Sequence, residues 1–247
     1  GEQVISFETP GYSRFNILEI KNQSGLLKFT TGVTFAELDG NLYYTGKLRV
    51  WAMTPKLNCT EIKGGSMEFC GADLNVSENM KIDLQDSLSL IYSCISLNRL
   101  FIGNGTWTKS VLNMTGGELH IGGNVSSDNS KNTIVVTSGT LKVGKDVLLR
   151  GGTFNAGEGR TEIGGGFFAE SEAHGAANTT FTMQKENGYV LVNGDFVIDK
   201  LTSSSDTNKI TAGVLELKGN FTQRKSYKQS DYPENAFQAT GTHKVIL

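Results

Sequence analysis

The chain is poor in the residues on which several protein classes depend. Among its 247 residues are three cysteines and three prolines, and 23 Lys and Arg stand against 25 Asp and Glu. The formal net charge of −2 gives no overall electrostatic reason to bind nucleic acid. No apolar run approaches the roughly 20 residues that span a bilayer, so we expect no insertion into a membrane.

Three cysteines are too few for a disulfide scaffold, and their odd number leaves at least one unpaired. We expect Cys59, Cys70 and Cys94 to be small, buried apolar residues, with a Cys59–Cys70 bridge as the alternative. Scarce proline together with 30 glycines indicates many tight turns in a structure whose backbone amides are free to pair. Glycine at every third position, which collagen requires, is absent.

Sequence signatures of catalysis and of metal binding are also missing. The chain has no Gly-x-Ser-x-Gly, no His-Glu-x-x-His and no phosphate-binding loop. Neither the Asp-rich loop nor the glycine-rich nonapeptide of calcium sites is present. We therefore predict a protein that is not an enzyme and that holds no metal and no cofactor.

What the chain does have is an internal repeat. Its unit is Gly-x-Φ-x-Φ-Gly/x-x-Asn/Asp-Φ, where Φ is an apolar residue. Alternation of apolar and polar residues is typical of a half-buried strand, and Gly with Asn or Asp is typical of a turn. Each unit therefore predicts a strand, a sharp turn and a second strand. The copies begin at Gly46, Gly65, Asn98, Gly117, Gly139, Gly159, Gly188 and Gly213.

The spacing of the copies predicts the fold. About 20–25 residues is the size of one rung of a β-solenoid, in which stacked rungs bury a continuous core. Stacking would place Leu119 over Leu141, and Ile121 over Val143 over Ile163. We predict a parallel β-solenoid (β-helix), right-handed, with three short sheets. An antiparallel β-sandwich array is the rival fold, because it too produces short strands at regular spacing.

The repeat also suggests how the chain is organised. Residues 46–247 are expected to form the rungs, and residues 1–45 an N-terminal strand segment that caps or continues the solenoid, within a single domain. Insertions at 128–131, 170–178 and 201–207 interrupt the repeat. Loops of variable length at one corner are expected of such a stack.

The residue between the two apolar positions of each unit should point outward. Neighbours in this column would lie one strand spacing apart, so Arg49–Glu68 and Lys142–Glu162 are predicted charge pairs between rungs. A carbohydrate-binding or carbohydrate-cleaving groove along this face is the alternative, although no two carboxylates fall at the spacing that hydrolysis needs. The column contains Arg49, Glu68, Phe101, His120, Lys142, Glu162, Leu191 and Glu216.

A second column occupies the turn of each unit. Its oxygen-bearing side chains could bind Ca²⁺ in principle, but Asn and Asp at turns more often bond to nearby backbone groups. We expect ladders of turn residues rather than a calcium site. The column contains Asn124, Asp146, Asp195 and Asn220.

The two ends of the repeat carry more specific motifs. Residues 15–25 are FNILEIKNQSG and residues 237–247 are FQATGTHKVIL. Together with the rungs, they resemble the opening and closing motifs of modules in repetitive bacterial cell-surface and secreted β-solenoid proteins, which are adhesin-like. The resemblance implies an extracellular or cell-surface bacterial protein in which this chain is one module and neighbouring modules of the same protein are its partners. It implies no particular ligand or reaction.

Aromatic residues give the candidate contact site. Tyr227 and Tyr232 lie in the polar insert 225–235, and Trp51 lies in an early rung, so these three are the predicted ligand-binding residues. We predict a structural or adhesive module that acts as a rigid spacer presenting surface loops, with glycans or host and extracellular proteins as candidate partners. A glycan-binding module is the alternative function, and a polysaccharide-degrading β-helix enzyme is the second alternative.

Overall fold

The computed structural model describes residues 3–7, 14–21, 26–30, 33–51, 55–91, 110–170, 179–199, 208–224 and 237–247. Within these ranges the chain forms 22 strands and no helix. The N-terminal strands are β1 (Gln3–Ile5), β2 (Arg14–Glu19), β3 (Leu27–Phe29), β4 (Thr34–Asp39), β5 (Leu42–Trp51) and β6 (Lys56–Asn58).

The remaining strands follow at short intervals. Those of the middle part are β7 (Glu61–Gly64), β8 (Ser66–Cys70), β9 (Asp73–Val76), β10 (Lys81–Leu84), β11 (Leu88–Ile91), β12 (Val111–Ile121), β13 (Val125–Val143) and β14 (Val147–Ala156). Those of the C-terminal part are β15 (Arg160–Ile163), β16 (Phe167–Glu170), β17 (Thr179–Met183), β18 (Tyr189–Val192), β19 (Phe196–Asp199), β20 (Val214–Leu217), β21 (Phe221–Arg224) and β22 (Lys244–Ile246).

Every pairing between described strands is parallel. Strands close in sequence do not pair with each other as a hairpin would; each instead pairs with the equivalent strand one coil further along. This arrangement confirms the parallel β-solenoid and excludes the antiparallel sandwich for the described residues. The long strands bend around corners, so that β12 and β14 each serve two faces of the stack and β13 serves all three.

Three columns of strands form the faces of the solenoid. The first sheet contains β7, β10, the end of β12, the end of β13, β15, β18, β20 and β22. The second sheet contains the end of β5, β8, β11, the starts of β13 and β14, β16, β19 and β21. The third sheet contains β9, the start of β12, the middle of β13, the end of β14 and β17, and single parallel bridges at Ile210 and Ala239 continue it. At the N-terminus β1 pairs with β3 and β3 with β5, while β2, β4 and β6 form a separate ladder.

The core consists of inward rows of apolar side chains, one from each coil. Leu119 lies over Leu141 and Ile121 over Val143, which in turn lies over Ile163. All five side chains are buried. The predicted register of the C-terminal half is therefore confirmed, and Leu119, Leu141 and Leu215 point inward in one row that Thr161 and Val190 complete.

The register predicted for the N-terminal half is wrong in part. The units at Gly46 and Gly65 belong to the second sheet, where Arg49 pairs with Glu68 and Glu68 with Ser89. The first-sheet strands of these coils are β7 and β10, which the repeat did not identify. The first-sheet strand and the second-sheet strand of a coil both alternate apolar and polar residues. Alternation alone therefore does not show to which sheet a strand belongs.

The copy predicted to begin at Asn98 lies within residues 92–109, which are outside the described residues and also include Phe101. In the first sheet β10 pairs directly with β12, so that Ile82 lies beside Leu119 with no strand between them.

The cysteines do not form the alternative bridge. Cys59 is a free, half-buried thiol. Burial raises the pKa of Cys59 to about 11, so this thiol stays protonated and unreactive at neutral pH. Cys94 lies outside the described residues, and for Cys70 only the backbone position in β8 is described.

A buried polar ladder crosses the corner between the second and third sheets. The Nδ2 of Asn132 donates to the Leu90 carbonyl at 3.0 Å, and its Oδ1 accepts from the Ser110 amide at 3.0 Å. One coil earlier, the Ser110 hydroxyl donates to the Phe69 carbonyl at 3.2 Å. Asn132 is 1% exposed, so these backbone groups depend on it rather than on water.

Replacing Asn132 by alanine should lower the free energy of unfolding by about 2–4 kcal/mol, because two buried backbone groups lose a partner. Urea-induced unfolding measures the change. Asn113→Ala is the matched control: its amide is half-exposed and bonds only to the Asn75 side chain, at 3.3 Å, so a loss below about 0.5 kcal/mol is expected. Equal losses in the two variants would contradict a stabilising role for the ladder.

Phenylalanine fills the core of the C-terminal half. Phe167, Phe196 and Phe221 stack along the second sheet, with ring centroids 5.0 and 5.8 Å apart. Phe154 and Phe181 form a parallel stack on the third sheet, 5.9 Å apart. Rings of the two stacks meet edge to face, which is a favoured arrangement for aromatic pairs.

Candidate functional site

Long inserts leave the solenoid at a single corner, which we call the insert corner. There the chain passes out of the described residues at the end of a second-sheet strand and returns at the start of the third sheet. This happens in four coils, and two of the inserts are those expected at 170–178 and 201–207. The insert corner is bounded by Ile91 and Ser110, Glu170 and Thr179, Asp199 and Asn208, and Arg224 and Phe237.

The structure does not describe the side chains of the three predicted ligand-binding residues, so this site stays a prediction. Tyr227 and Tyr232 lie in the fourth insert, outside the described residues. Trp51 ends β5, where its backbone pairs with Cys70, and its side chain is not described. Seven strand intervals of about 4.8 Å separate the Trp51 backbone from Arg224, where the fourth insert begins, so the two positions are about 34 Å apart.

A charged cluster at the base of three inserts could not be anticipated from the repeat. Glu170, Asp199 and Arg224 end three successive second-sheet strands in register. The Nε of Arg224 donates to Oδ2 of Asp199 at 2.9 Å, and its Nη2 donates to Glu170. Asp199 points away from the core yet is 4% exposed, and its contact with Arg224 raises the pKa of that guanidinium. The cluster joins the bases of the inserts across three coils.

The outward face of the first sheet carries a network of ion pairs. Lys142 and Glu162 lie on neighbouring coils, with Nζ and Oε2 3.8 Å apart, as predicted. Arg160 hydrogen-bonds Glu162 at 2.5 Å and lies over the ring of Tyr189, 4.2 Å from its centroid. The hydrogen bond from Arg160, with a smaller Coulombic effect of Lys142, lowers the pKa of Glu162.

The same network continues on the last coils of this face. Tyr189 donates to Glu216 at 2.5 Å, which raises the pKa of the tyrosine. Lys218, with Tyr189, lowers the pKa of Glu216. The predicted Arg49–Glu68 pair also forms, but on the second sheet, where Lys47 joins it with Nζ 3.3 Å from Glu68.

The turn column forms ladders between coils, as predicted. Oδ1 of Asn124 accepts from the Asp146 amide at 3.0 Å, and Oδ1 of Asp146 accepts from the Gly166 amide at 2.8 Å. Oδ1 of Asp195 accepts from the Asn220 amide at 2.9 Å. Backbone amides of the next coil thus occupy these oxygens. Across the part of the chain that the structure describes, no three His, Cys, Asp or Glu side chains are grouped so that they could hold a metal ion.

Neither the Glu162–Glu216 pair nor the Glu170–Asp199 pair has the features that glycoside hydrolysis needs. That reaction uses a carboxylic acid with a raised pKa beside a second carboxylate, roughly 5–9.5 Å away. Glu162 and Glu216 are separated by the coil of Leu191, and the pKa of each is lowered rather than raised. Glu170 and Asp199 lie on neighbouring coils, but both are bound to Arg224.

Comparison of the chain with protein-family models, with curated proteins and with solved structures finds no match. Among the described residues there is also no helix of the length and apolar character that a membrane span requires. Function must therefore be argued from the geometry of this chain.

Proposed function

We propose that this chain is a structural or adhesive module of a secreted or cell-surface bacterial protein, in which a rigid solenoid presents loops to a partner. The observation that carries the proposal is the insert corner, where four inserts leave a continuous parallel stack on the same side. Loops held by a rigid scaffold are where binding residues concentrate. The resemblance of residues 15–25 and 237–247 to surface-protein modules supports the location.

The solenoid has the properties of a spacer. Eight second-sheet strands at about 4.8 Å per interval give a length of about 34 Å, and the N-terminal ladders extend the stack. Backbone ladders and the buried inward rows couple each coil to its neighbours, so a loop on one coil keeps its position relative to loops on the others. The ion pairs of Arg224 with Asp199 and Glu170 fix the bases of three inserts.

Binding through the insert corner can be tested with a glycan and extracellular-matrix protein array. We expect saturable binding by the native chain and its loss in the Tyr227→Ala/Tyr232→Ala double variant, because both rings lie in the longest C-terminal insert. Tyr43→Ala is the matched control, since Tyr43 lies on the first sheet and bonds to Glu61. Retained binding in the double variant would place the contact elsewhere, and no binding by folded protein would leave only the spacer role.

We propose that neighbouring modules of the same protein are partners of the end faces of the stack. Phe221 and Val245 belong to inward rows at the C-terminal end, yet they are 39% and 38% exposed. Among the described strands, β1 pairs only with β3 and β22 only with β20. Apolar groups and unpaired strand edges of this kind favour the addition of a further parallel coil.

A tandem fusion of two copies tests this stacking. The fusion should melt several degrees above the single chain, because the junction buries Phe221 and Val245 and pairs the free edges. A fusion with Phe221→Asp in the first copy should lose the gain, since a carboxylate would then face the new coil. Equal melting temperatures for the single chain and the unmodified fusion would contradict the stacking.

The glycan-binding alternative is favoured by a groove that is separate from the insert corner and lies between the first and second sheets. For the polysaccharide-degrading alternative, the pKa values of Glu162 and Glu216 are lowered, and Glu170 and Asp199 share Arg224. We therefore propose a non-enzymatic role.

A further inference from the structure

A column of glycines marks the corner between the first and second sheets. Gly122, Gly144 and Gly164 occupy the same position in three successive coils, and each amide donates to a carbonyl of the preceding coil. A Cβ at these positions would lie 2.4, 2.5 and 2.4 Å from a backbone oxygen of the coil before. Only glycine fits, so three coils in a row present no side chain at this position of the corner.

The missing side chains leave an open groove along the solenoid axis. Its volume is about 410 Å³, and it is open to solvent rather than enclosed. Gln85 and Asn193 line its two ends, one coil before and one coil after the glycines. From Gln85 to Asn193 there are four coil intervals of about 4.8 Å, so the groove is about 19 Å long. A ligand that fills it must be extended.

One wall of the groove is the outward row of the first sheet. Asp83, His120, Lys142 and Glu162 stand side by side on four successive coils. The Nε2 of His120 is 3.6 Å from Glu118, and the Nζ of Lys142 is 3.8 Å from Glu162. Both distances exceed those of good hydrogen bonds, so each donor can serve a ligand without losing a strong bond in the protein.

The charges of the wall restrict the class of ligand. His120 and Lys142 stand against the carboxylates of Asp83 and Glu162, so the row carries no excess of positive charge for a polyanion. Hydrogen-bonding groups instead recur at one coil spacing along the axis, with His120 and Lys142 between the two carboxylates. Side chains of this kind hydrogen-bond hydroxyl groups, which both donate and accept. An extended, uncharged polymer with hydroxyls at regular intervals matches the groove in shape and in charge.

We propose that this groove binds a linear, uncharged oligosaccharide that lies along the solenoid axis, with Asp83 at one end of the groove and His120 on the next coil as hydrogen-bonding partners. The groove lies at the corner between the first and second sheets, whereas the inserts leave between the second and third. The proposal therefore goes beyond loop presentation and does not depend on it.

Isothermal titration of the full chain with neutral hexasaccharides tests the proposal. Cellohexaose, laminarihexaose and mannohexaose serve as probes, and hexagalacturonate is the acidic counterpart. We expect saturable binding of at least one neutral probe and at least tenfold weaker binding of hexagalacturonate. The Asp83→Ala/His120→Ala variant should lose at least tenfold in affinity, and His120→Trp, which fills the groove, should abolish binding.

Controls separate the groove from folding and from the inserts. Lys63→Ala removes a side chain of the same outward row outside the groove and should change affinity less than twofold. The Tyr227→Ala/Tyr232→Ala variant should also retain full affinity. Circular dichroism confirms that each variant is folded. The proposal is overturned if folded native protein binds none of the neutral probes, if the acidic probe binds more tightly, or if the groove variants bind as well as Lys63→Ala.

Discussion

Replacing Val143 by aspartate is expected to prevent stable folding. Val143 is buried in an inward row of the first sheet, between Ile121 and Ile163 of the neighbouring coils. Loss of the apolar side chain costs about 1.5–3 kcal/mol, and a buried carboxylate without a cation adds several kcal/mol. The sum is comparable with the whole stability of a typical domain, about 5–15 kcal/mol. Circular dichroism and thermal melting measure the effect.

The adjacent residue is the matched control. Lys142 points outward, and its ion pair with Glu162 is long and half-exposed. Lys142→Ala should lower the free energy of unfolding by no more than about 1 kcal/mol, as is typical of exposed pairs. Comparable losses at positions 142 and 143 would contradict the inward and outward assignment, since that assignment is the only difference between these neighbours in the strand.

The C-terminal half of the fold was predictable because its chemistry repeats locally. In each coil from Gly117 to Leu217 a glycine precedes an alternating strand, so period two gives both the strand and the side that faces the core. Equivalent positions in successive units then become neighbours in a stack, which is why Leu119 over Leu141 followed from sequence alone.

The N-terminal half was misassigned because this local cue is weaker there. The first-sheet strand β7 follows Thr60 rather than a glycine, and its second inward position is Gly64, where the side chain of Tyr44 fills the space instead. The second-sheet strand β8 follows Gly65 and so matched the repeat better. The copy predicted at Asn98 lies outside the described residues, and β10 pairs directly with β12 in the first sheet.

The candidate sites were less predictable than the fold, because their members are distant in sequence. Glu170 and Arg224 are 54 residues apart, and their contact depends on the lengths of two intervening inserts. The groove arises from a column of glycines. The sequence predicts a turn at each of these glycines but does not predict that they line a groove. The predicted interruptions of the repeat were the sequence feature that indicated the insert corner. The ligand-binding roles of Tyr227, Tyr232 and Trp51 stay predictions.

The second large effect is expected at the centre of the phenylalanine stack. Phe196 is fully buried, stacks on Phe167 at 5.0 Å and on Phe221 at 5.8 Å, and meets Phe181 edge to face at 5.5 Å. Phe196→Ala should lower the free energy of unfolding by about 3–5 kcal/mol, because the cavity lies between coils that hold each other rigidly. Urea-induced unfolding, monitored by circular dichroism, gives the value.

Phe221→Ala is the matched control within the same stack. Phe221 is 39% exposed, stacks on Phe196 and meets Phe237 edge to face at 5.0 Å, so its truncation leaves a gap that is open to solvent rather than an enclosed cavity. We expect it to cost less than half as much as Phe196→Ala. Because coupling between neighbouring coils stabilises a solenoid, the unfolding of Phe196→Ala should also become less cooperative, with a lower denaturant slope. Similar losses of unfolding free energy in both variants would show that stacking of the rings contributes no stability beyond the burial of each side chain.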